Sequence, residues 1–237
     1  MSEPVLELTD VSKDYRGLRP LRIATLSVSP GDQVALVGFD QTSAEVFVNL
    51  VTGATLPDRG TVRLLGRATS DIADASDWLM VVDRVGIVSP RAVLLKSLSV
   101  VQNLAMPYTL EVDPPSNDVR ERAVTLALET GLPEAALDRS VAELDSVNVV
   151  LIRLARALAL APTIVLLEHP TAEVARADVA RLATRCRTVT SRRNVATVVL
   201  TADREFAAAS SSRVLQWEPA SGRLTTSGGW LSRFRRA

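Results

Sequence analysis

The sequence predicts an α/β fold: an antiparallel β portion comes first, and a core of buried strands and helices is split by a helical segment. Three observations carry this. Val5–Ser12 and Leu21–Ser29 alternate apolar and polar residues, the pattern of half-buried antiparallel strands. Gln33–Gly38, Thr163–Leu167 and Asn194–Thr201 are short apolar runs of the kind that lie buried in a central sheet. Between the first two of these, Arg91–Leu158 reads as mostly helix, so the strand–helix alternation stops and later returns.

Taken in order, Pro30-Gly31-Asp32 is a turn feeding the apolar strand at Gln33, and a helix over about Ser43–Val51 follows, stopped by Gly53. Thr61–Leu65 and Val85–Val88 are further strands. Asp113-Pro114-Pro115 is a linker into a helix over Asn117–Thr130, with Val119, Ala123, Leu126 and Ala127 on one side and Gly131-Leu132-Pro133 closing it. Ala172–Ser191 is expected as a helix, and Arg213–Glu218 with Arg223–Thr226 as a hairpin around Ser221-Gly222. The reading is one domain over 1–237, with 1–88 and 162–237 as the α/β core and 89–161 as a helical subdomain.

Bulk properties narrow the function. The 237 residues are 47% apolar and 23% charged, ordinary globular usage for one sizeable domain. The 27 basic and 27 acidic residues cancel, so no overall field draws the chain to nucleic acid. One cysteine, Cys186, excludes an internal disulfide and suits a reducing cytoplasm. No basic-then-apolar leader opens the chain. The longest apolar stretch, Val149–Leu167, is interrupted by Arg153, Arg156 and Pro162, and reads as a buried helix and strand, not a membrane span. The tail Trp230–Arg236 mixes aromatics with arginines, which suits an anionic membrane surface or a solvated end.

Six segments then fall in a telling order. They are Val5–Tyr15, Val34–Gly53 (VALVGFDQTSAEVFVNLVTG), Arg84–Pro107, Glu143–Leu158 (ELDSVNVVLIRLARAL), Ile164–Ala172 (IVLLEHPTA) and Val198–Phe206 (VVLTADREF). In sequence and spacing the chain resembles the ATP-binding subunits of ABC transporters over nearly its whole length, nearest in flavour to the group serving lipoprotein-release and macrolide-type exporters. The resemblance implies an ABC-type core of the P-loop NTPase kind. The six segments match, in turn, the aromatic A-loop, Walker A, the Q-loop, the signature motif, Walker B and the H-loop.

The same resemblance implies that the reactive positions are replaced. Glycines let successive backbone N–H groups curl round phosphates, a lysine neutralises them and a hydroxyl holds Mg²⁺. Gln41 and Ser43 stand where the glycines belong, Ala44 where the lysine belongs and Glu45 where the hydroxyl belongs. Glu45 beside a γ-phosphate at ~4 Å would be repelled by about 4 kcal/mol at an effective dielectric of 20. Pro90, Ala202 and Ala175 take the Q-loop glutamine, H-loop histidine and D-loop aspartate positions, and Asp145-Ser146-Val147-Asn148 takes the signature. Glu168 and His169 fall on the Walker B acid and base positions, as catalytic candidates or as polar residues left at a strand end. By motif position Tyr15, Gly38, Thr42 and Ser43 are the nucleotide-binding candidates, Tyr15 through stacking on adenine. No metal site is expected, and ATP with Mg²⁺ enters only if the family activity persists.

The resemblance therefore implies a non-hydrolytic subunit, cytoplasmic and held at the inner face of the membrane by a permease. Its second neighbour would be an intact ATP-binding subunit or a second copy. An ATP-binding subunit that works with unusual motifs, and a free-standing regulator or scaffold on the same fold, stand as alternatives.

Overall fold

The computed structural model describes residues 3–226, so the tail at Trp230–Arg236 lies outside the described residues. Strands β1 (Leu6–Lys13) and β2 (Leu21–Val28) pair antiparallel with Leu8 opposite Leu26. They are followed by β3 (Gln33–Val37), α1 (Gln41–Val51), β4 (Arg59–Leu64), β5 (Arg67–Ala68), α2 (Ala75–Val82) and β6 (Val85–Val88). Next come α3 (Val100–Ala105), α4 (Asn117–Glu129) and α5 (Ser146–Leu158). The chain then runs through β7 (Ile164–Glu168), α6 (Val179–Arg192), β8 (Ala196–Thr201), α7 (Arg204–Ser210), β9 (Arg213–Glu218) and β10 (Arg223–Thr226).

Two sheets form. One is antiparallel with order β2-β1-β4-β5. The other has order β10-β9-β3-β8-β7-β6 and is parallel except for the closing hairpin β9–β10. The architecture is the expected α/β core with an antiparallel portion and a helical subdomain. In β1 the pairing with β4 slips between Thr9 and Ser12 at Asp10, whose φ is 50°. Gly60 faces that slip, and a Cβ there would meet the Asp10 carbonyl oxygen at 2.3 Å, so only glycine fits.

Period-2 geometry of the parallel strands builds two cores, one on each face of the sheet. Val34, Leu36, Ile164, Leu166, Val198 and Leu200 point to the antiparallel sheet and α1, where Phe47 and Leu50 fill the layer. Ala35, Val37, Val165, Leu167 and Val199 point the other way, to α3, α4, α5 and α6. This is why the strands read as continuous apolar runs. Helix α5 contributes Val150, Leu151, Leu154, Ala155 and Leu158 to that second core, so Val149–Leu167 is indeed a buried helix and strand. No helix among the described residues is long and apolar enough to cross a membrane.

Two expectations change. Residues 172–178 are not helical throughout; they form turns and a short 3-10 segment at Arg176–Asp178, and α6 begins only at Val179. His169 at φ 42° starts this run, and bonds from Ala172 N–H to the His169 carbonyl and from Val174 N–H to the Thr171 carbonyl close local turns in place of a helix. Arg91–Leu158 is also less helical than its composition suggests, because Pro90, Pro107, Pro114 and Pro115 break it into three helices joined by turns.

Candidate functional site

The ends of β3 and β7 and the start of α1 meet at one place. β3 ends at Val37, and Gly38 turns the chain at φ 105° while its N–H donates to the Thr201 carbonyl at 3.1 Å. A Cβ at Gly38 would lie 2.7 Å from Gln216 Nε2. The next residue dives inward. Phe39 is 1% exposed, stacks on Trp217 at 4.3 Å between ring centroids and meets Phe47 edge-on at 5.8 Å.

Asp40 then caps α1. Its Oδ1 accepts the Ser43 N–H at 2.7 Å and the Ser43 hydroxyl at 2.6 Å, while Ser43 Oγ accepts the Asp40 N–H at 3.0 Å. The Ser43 hydroxyl, followed by the Ser43 amide, holds the Asp40 carboxyl below its ordinary value; His169 and the Thr42 amide add to this, and burial opposes it. A helix N-terminus attracts an anion through its free N–H groups and its dipole. Here the anion is supplied by the chain itself. Gly38 thus lies in the turn and Thr42 and Ser43 in the first turn of α1, where the Ser43 amide is committed to Asp40.

At the end of β7, Glu168 is buried, its side chain 1% exposed. Both of its oxygens are taken by Arg91: Nε reaches Oε1 at 3.1 Å and Nη2 reaches Oε2 at 2.7 Å. The remaining Arg91 nitrogen, Nη1, lies 2.8 Å from Glu45 Oε1. One guanidinium therefore bridges the α1 carboxylate and the β7 carboxylate in a planar fork. The Glu168 hydrogen bonds, with the Glu168 and Glu45 charges, push the Arg91 pKa further up against the effect of burial. The repulsion expected of Glu45 towards a phosphate is thus answered inside the protein, by Arg91.

His169, the other catalytic candidate, has left-handed backbone and donates its N–H to the Leu200 carbonyl at 2.9 Å. Its Nε2 is buried without a hydrogen-bond partner, so nothing in the described residues orients it to exchange a proton. Tyr15 packs half-buried beside the antiparallel core, and its phenol pKa is raised by burial and then by the Asp40 charge.

The signature position repeats the pattern of α1. Asp145 caps α5, accepting the Asn148 N–H at 2.8 Å on one oxygen and the Asn148 side-chain amide at 3.0 Å on the other. Val147 is 2% exposed and belongs to the helical core, so its side chain is turned away from any ligand. Ala202 and Ala175 present exposed methyl groups. Between them Arg176 clasps Asp203 with two 3.1 Å bonds, and Asp203 caps α7.

The residues present do not fit a magnesium nucleotide. A phosphate cradle needs free N–H groups and a cation, whereas Ser43 N–H is held by Asp40 and Ala44 is fully buried. A magnesium position needs a carboxylate with a free oxygen, whereas both Glu168 oxygens are bonded to Arg91. Among the described residues no group of three or more histidine, cysteine or acidic side chains is placed to hold a metal ion. Sequence reasoning had missed Arg91. Its partner Glu168 lies 77 residues away, and only the packed fold shows that this acid is buried beside it.

No family model matches the chain. It is 33% identical over 175 residues to the lipoprotein-releasing system ATP-binding protein LolD of Maricaulis maris, covering 72% of this chain and 76% of that one. It is 30% identical over 175 residues to the macrolide export ATP-binding/permease protein MacB of Bordetella avium, covering 72% of this chain and 26% of that one. Among solved structures it overlays cbiO1 of Clostridium perfringens, part of the ABC transporter complex cbiONQ, with a TM-score of 0.81 at 18% identity, over 99% of this chain and 92% of that one. With a shared fold and a third of its residues identical over most of a relative's length, the chain belongs to the family of ABC-transporter ATP-binding subunits.

Proposed function

We propose that this chain is a non-hydrolytic member of its family, a subunit that docks on a membrane permease without turning over ATP. The observation that carries the reading is the Arg91 fork between Glu45 and Glu168, because it spends on internal ion pairing the two acids nearest the reactive positions. Asp40 in the α1 cap and Asp145 in the α5 cap support it, since each occupies a helix N-terminus with the chain's own negative charge. On this reading Glu168 and His169 are not an acid–base pair. Tyr15, Gly38, Thr42 and Ser43 shape the loop and hold no nucleotide.

A permease partner suits both the relatives and the surface. One relative joins an ATP-binding part and a permease in a single chain, and this chain spans only the smaller share of it. A groove of about 260 Å³ opens between α2, β6 and α5, lined by Val82, Ile87, Ala92 and Leu94 with Arg153 and Arg156, and one turn back on α2 Leu79 and Met80 are exposed. Such an apolar, partly charged groove suits a short amphipathic segment. Pairing with an ATP-binding subunit would then be a support or brake, because Asp145 would face the partner's nucleotide.

The test is calorimetry with ATP and magnesium, together with an ATPase assay on the purified chain. No heat of binding at tens of micromolar protein and no turnover above background are expected. Magnesium-dependent turnover abolished by His169→Ala would overturn the reading. Co-expression with a permease and recovery in the membrane fraction tests the docking half separately.

A further inference from the structure

The residues between β6 and α3 are held from two sides. On the core side, Arg91 bonds to Glu168 at the end of β7 and to Glu45 on α1. On the helical side, Arg153 of α5 donates through Nη2 to the Pro90 carbonyl at 3.2 Å and reaches Glu173 through Nη1 at 3.1 Å. One turn on, Arg156 Nη1 donates to the Val93 carbonyl at 2.7 Å. Ser89 and Asn103 complete the fastening: Arg91 N–H donates to Ser89 Oγ at 3.1 Å, and Leu95 N–H to Asn103 Oδ1 at 2.9 Å. Three arginines, one of them Arg91 itself, therefore fasten the segment at Pro90, Arg91 and Val93, between the sheet and the helical layer.

The central contact cannot be released cheaply. Glu168 is 1% exposed, and among the described residues Arg91 is the cation paired with it. Removing one partner of a buried ion pair strands the other charge without water or a counter-charge. We propose that Arg91 is a positioning residue, an internal cation that straps residues 90–93 onto the core and sets the shape of the groove lined by Ala92, Leu94, Arg153 and Arg156 with no nucleotide bound. The strap shares the Arg91–Glu168 pair with the proposed function but does not require the absence of turnover.

Hydrogen exchange on the full chain, run without nucleotide and then with ATP and magnesium, reads this directly. The reporters are the amides of Ala92, bonded to the Ser89 carbonyl at 3.0 Å, and of Leu95. The wild-type amides are expected to exchange at the same rate in both conditions. Arg91→Met should speed their exchange at least about tenfold, the equivalent of ~1.4 kcal/mol, while the β1–β2 amides stay unchanged. Its Tm should fall by about 5–15 °C because Glu168 is left unpaired. Arg91→Met with Glu168→Gln should recover much of that Tm but not the slow exchange, since the charge is removed and the strap is still absent. Slow exchange regained in the double variant, or kept within twofold in Arg91→Met, would overturn the strap. So would a nucleotide-dependent change in the wild type. Wild type that binds ATP with unaltered exchange would sink the proposed function and leave the strap standing.

Discussion

The two ends of α1 illustrate a division that runs through the molecule. Towards its C-terminal end, Phe47, Leu50 and Val51 are fully buried in the core between the sheets, and their identity is dictated by shape and apolar area. At its start, Asp40 and Glu45 carry charges that the chain itself satisfies, through Ser43 and Arg91. α5 is split the same way, with Leu151 and Leu154 in the core and Asp145 capping the start. A helix can thus pack through one stretch while its N-terminus is satisfied by the chain's own polar groups. Packing depends on many apolar neighbours, ligand binding on a few polar atoms, and the two are separable.

Four substitutions test how cleanly they separate. The largest effect is expected at Phe39, the one loop residue that belongs to the core. Phe39→Ala removes the stack on Trp217 and should cost about 3–5 kcal/mol, read as a lower urea midpoint with an unchanged m-value. A cost below about 1 kcal/mol would mean that the loop is not anchored in the core at all.

Val147→Gly tests the same division at the start of α5. It should destabilise the fold by about 2–4 kcal/mol, from roughly 1.5–3 for the lost side-chain burial and 0.5–1 for glycine in a helix. Thermal unfolding decides it, and a neutral result would place Val147 on the ligand side of the division.

Asp40→Ala should cost about 1 kcal/mol through the lost cap, and Asp40→Asn less. Because its folded pKa lies below the unfolded value of 3.8, the Asp40 contribution is present above that value. It is lost as pH falls through the lowered folded value. Stability measured from pH 7 down to pH 2 should therefore fall less steeply in Asp40→Ala than in wild type, the difference lying below about pH 4.

Glu45→Gln should change stability by less than about 0.5 kcal/mol, because Glu45 is 42% exposed and its pair with Arg91 is screened by water. A larger loss in chemical denaturation would show that both acids, and not Glu168 alone, hold Arg91 in place.

Much of the fold could be read before any coordinates. The apolar runs at Gln33, Thr163 and Asn194 named the central strands, and the alternation at Val5 and Leu21 named the antiparallel pair, because period-2 burial leaves its mark residue by residue. The sequence pattern does not mark the short elements β5 and α2, which are brief and, in α2, have no fully buried residue. The late start of α6 was missed because alanines and arginines at 172–178 suit a helix by propensity, while local turns from His169 onward take their carbonyls first.

For the site, the sequence by itself determined that Ala44, Pro90, Ala175 and Ala202 cannot supply charge, amide or imidazole wherever they fold. It determined the strands and helices too, since these follow from local periodicity. What the remaining polar residues do was decided only by tertiary structure. Arg91, Glu45 and Glu168 are 46 and 77 residues apart from one another in turn, and nothing local to any of them requires a partner. Folding the sheet brings the end of β7 beside the start of α1, and burying Glu168 there makes a nearby cation necessary. That requirement arises from the low dielectric of the packed interior, a property of the assembled fold and not of any segment of the chain.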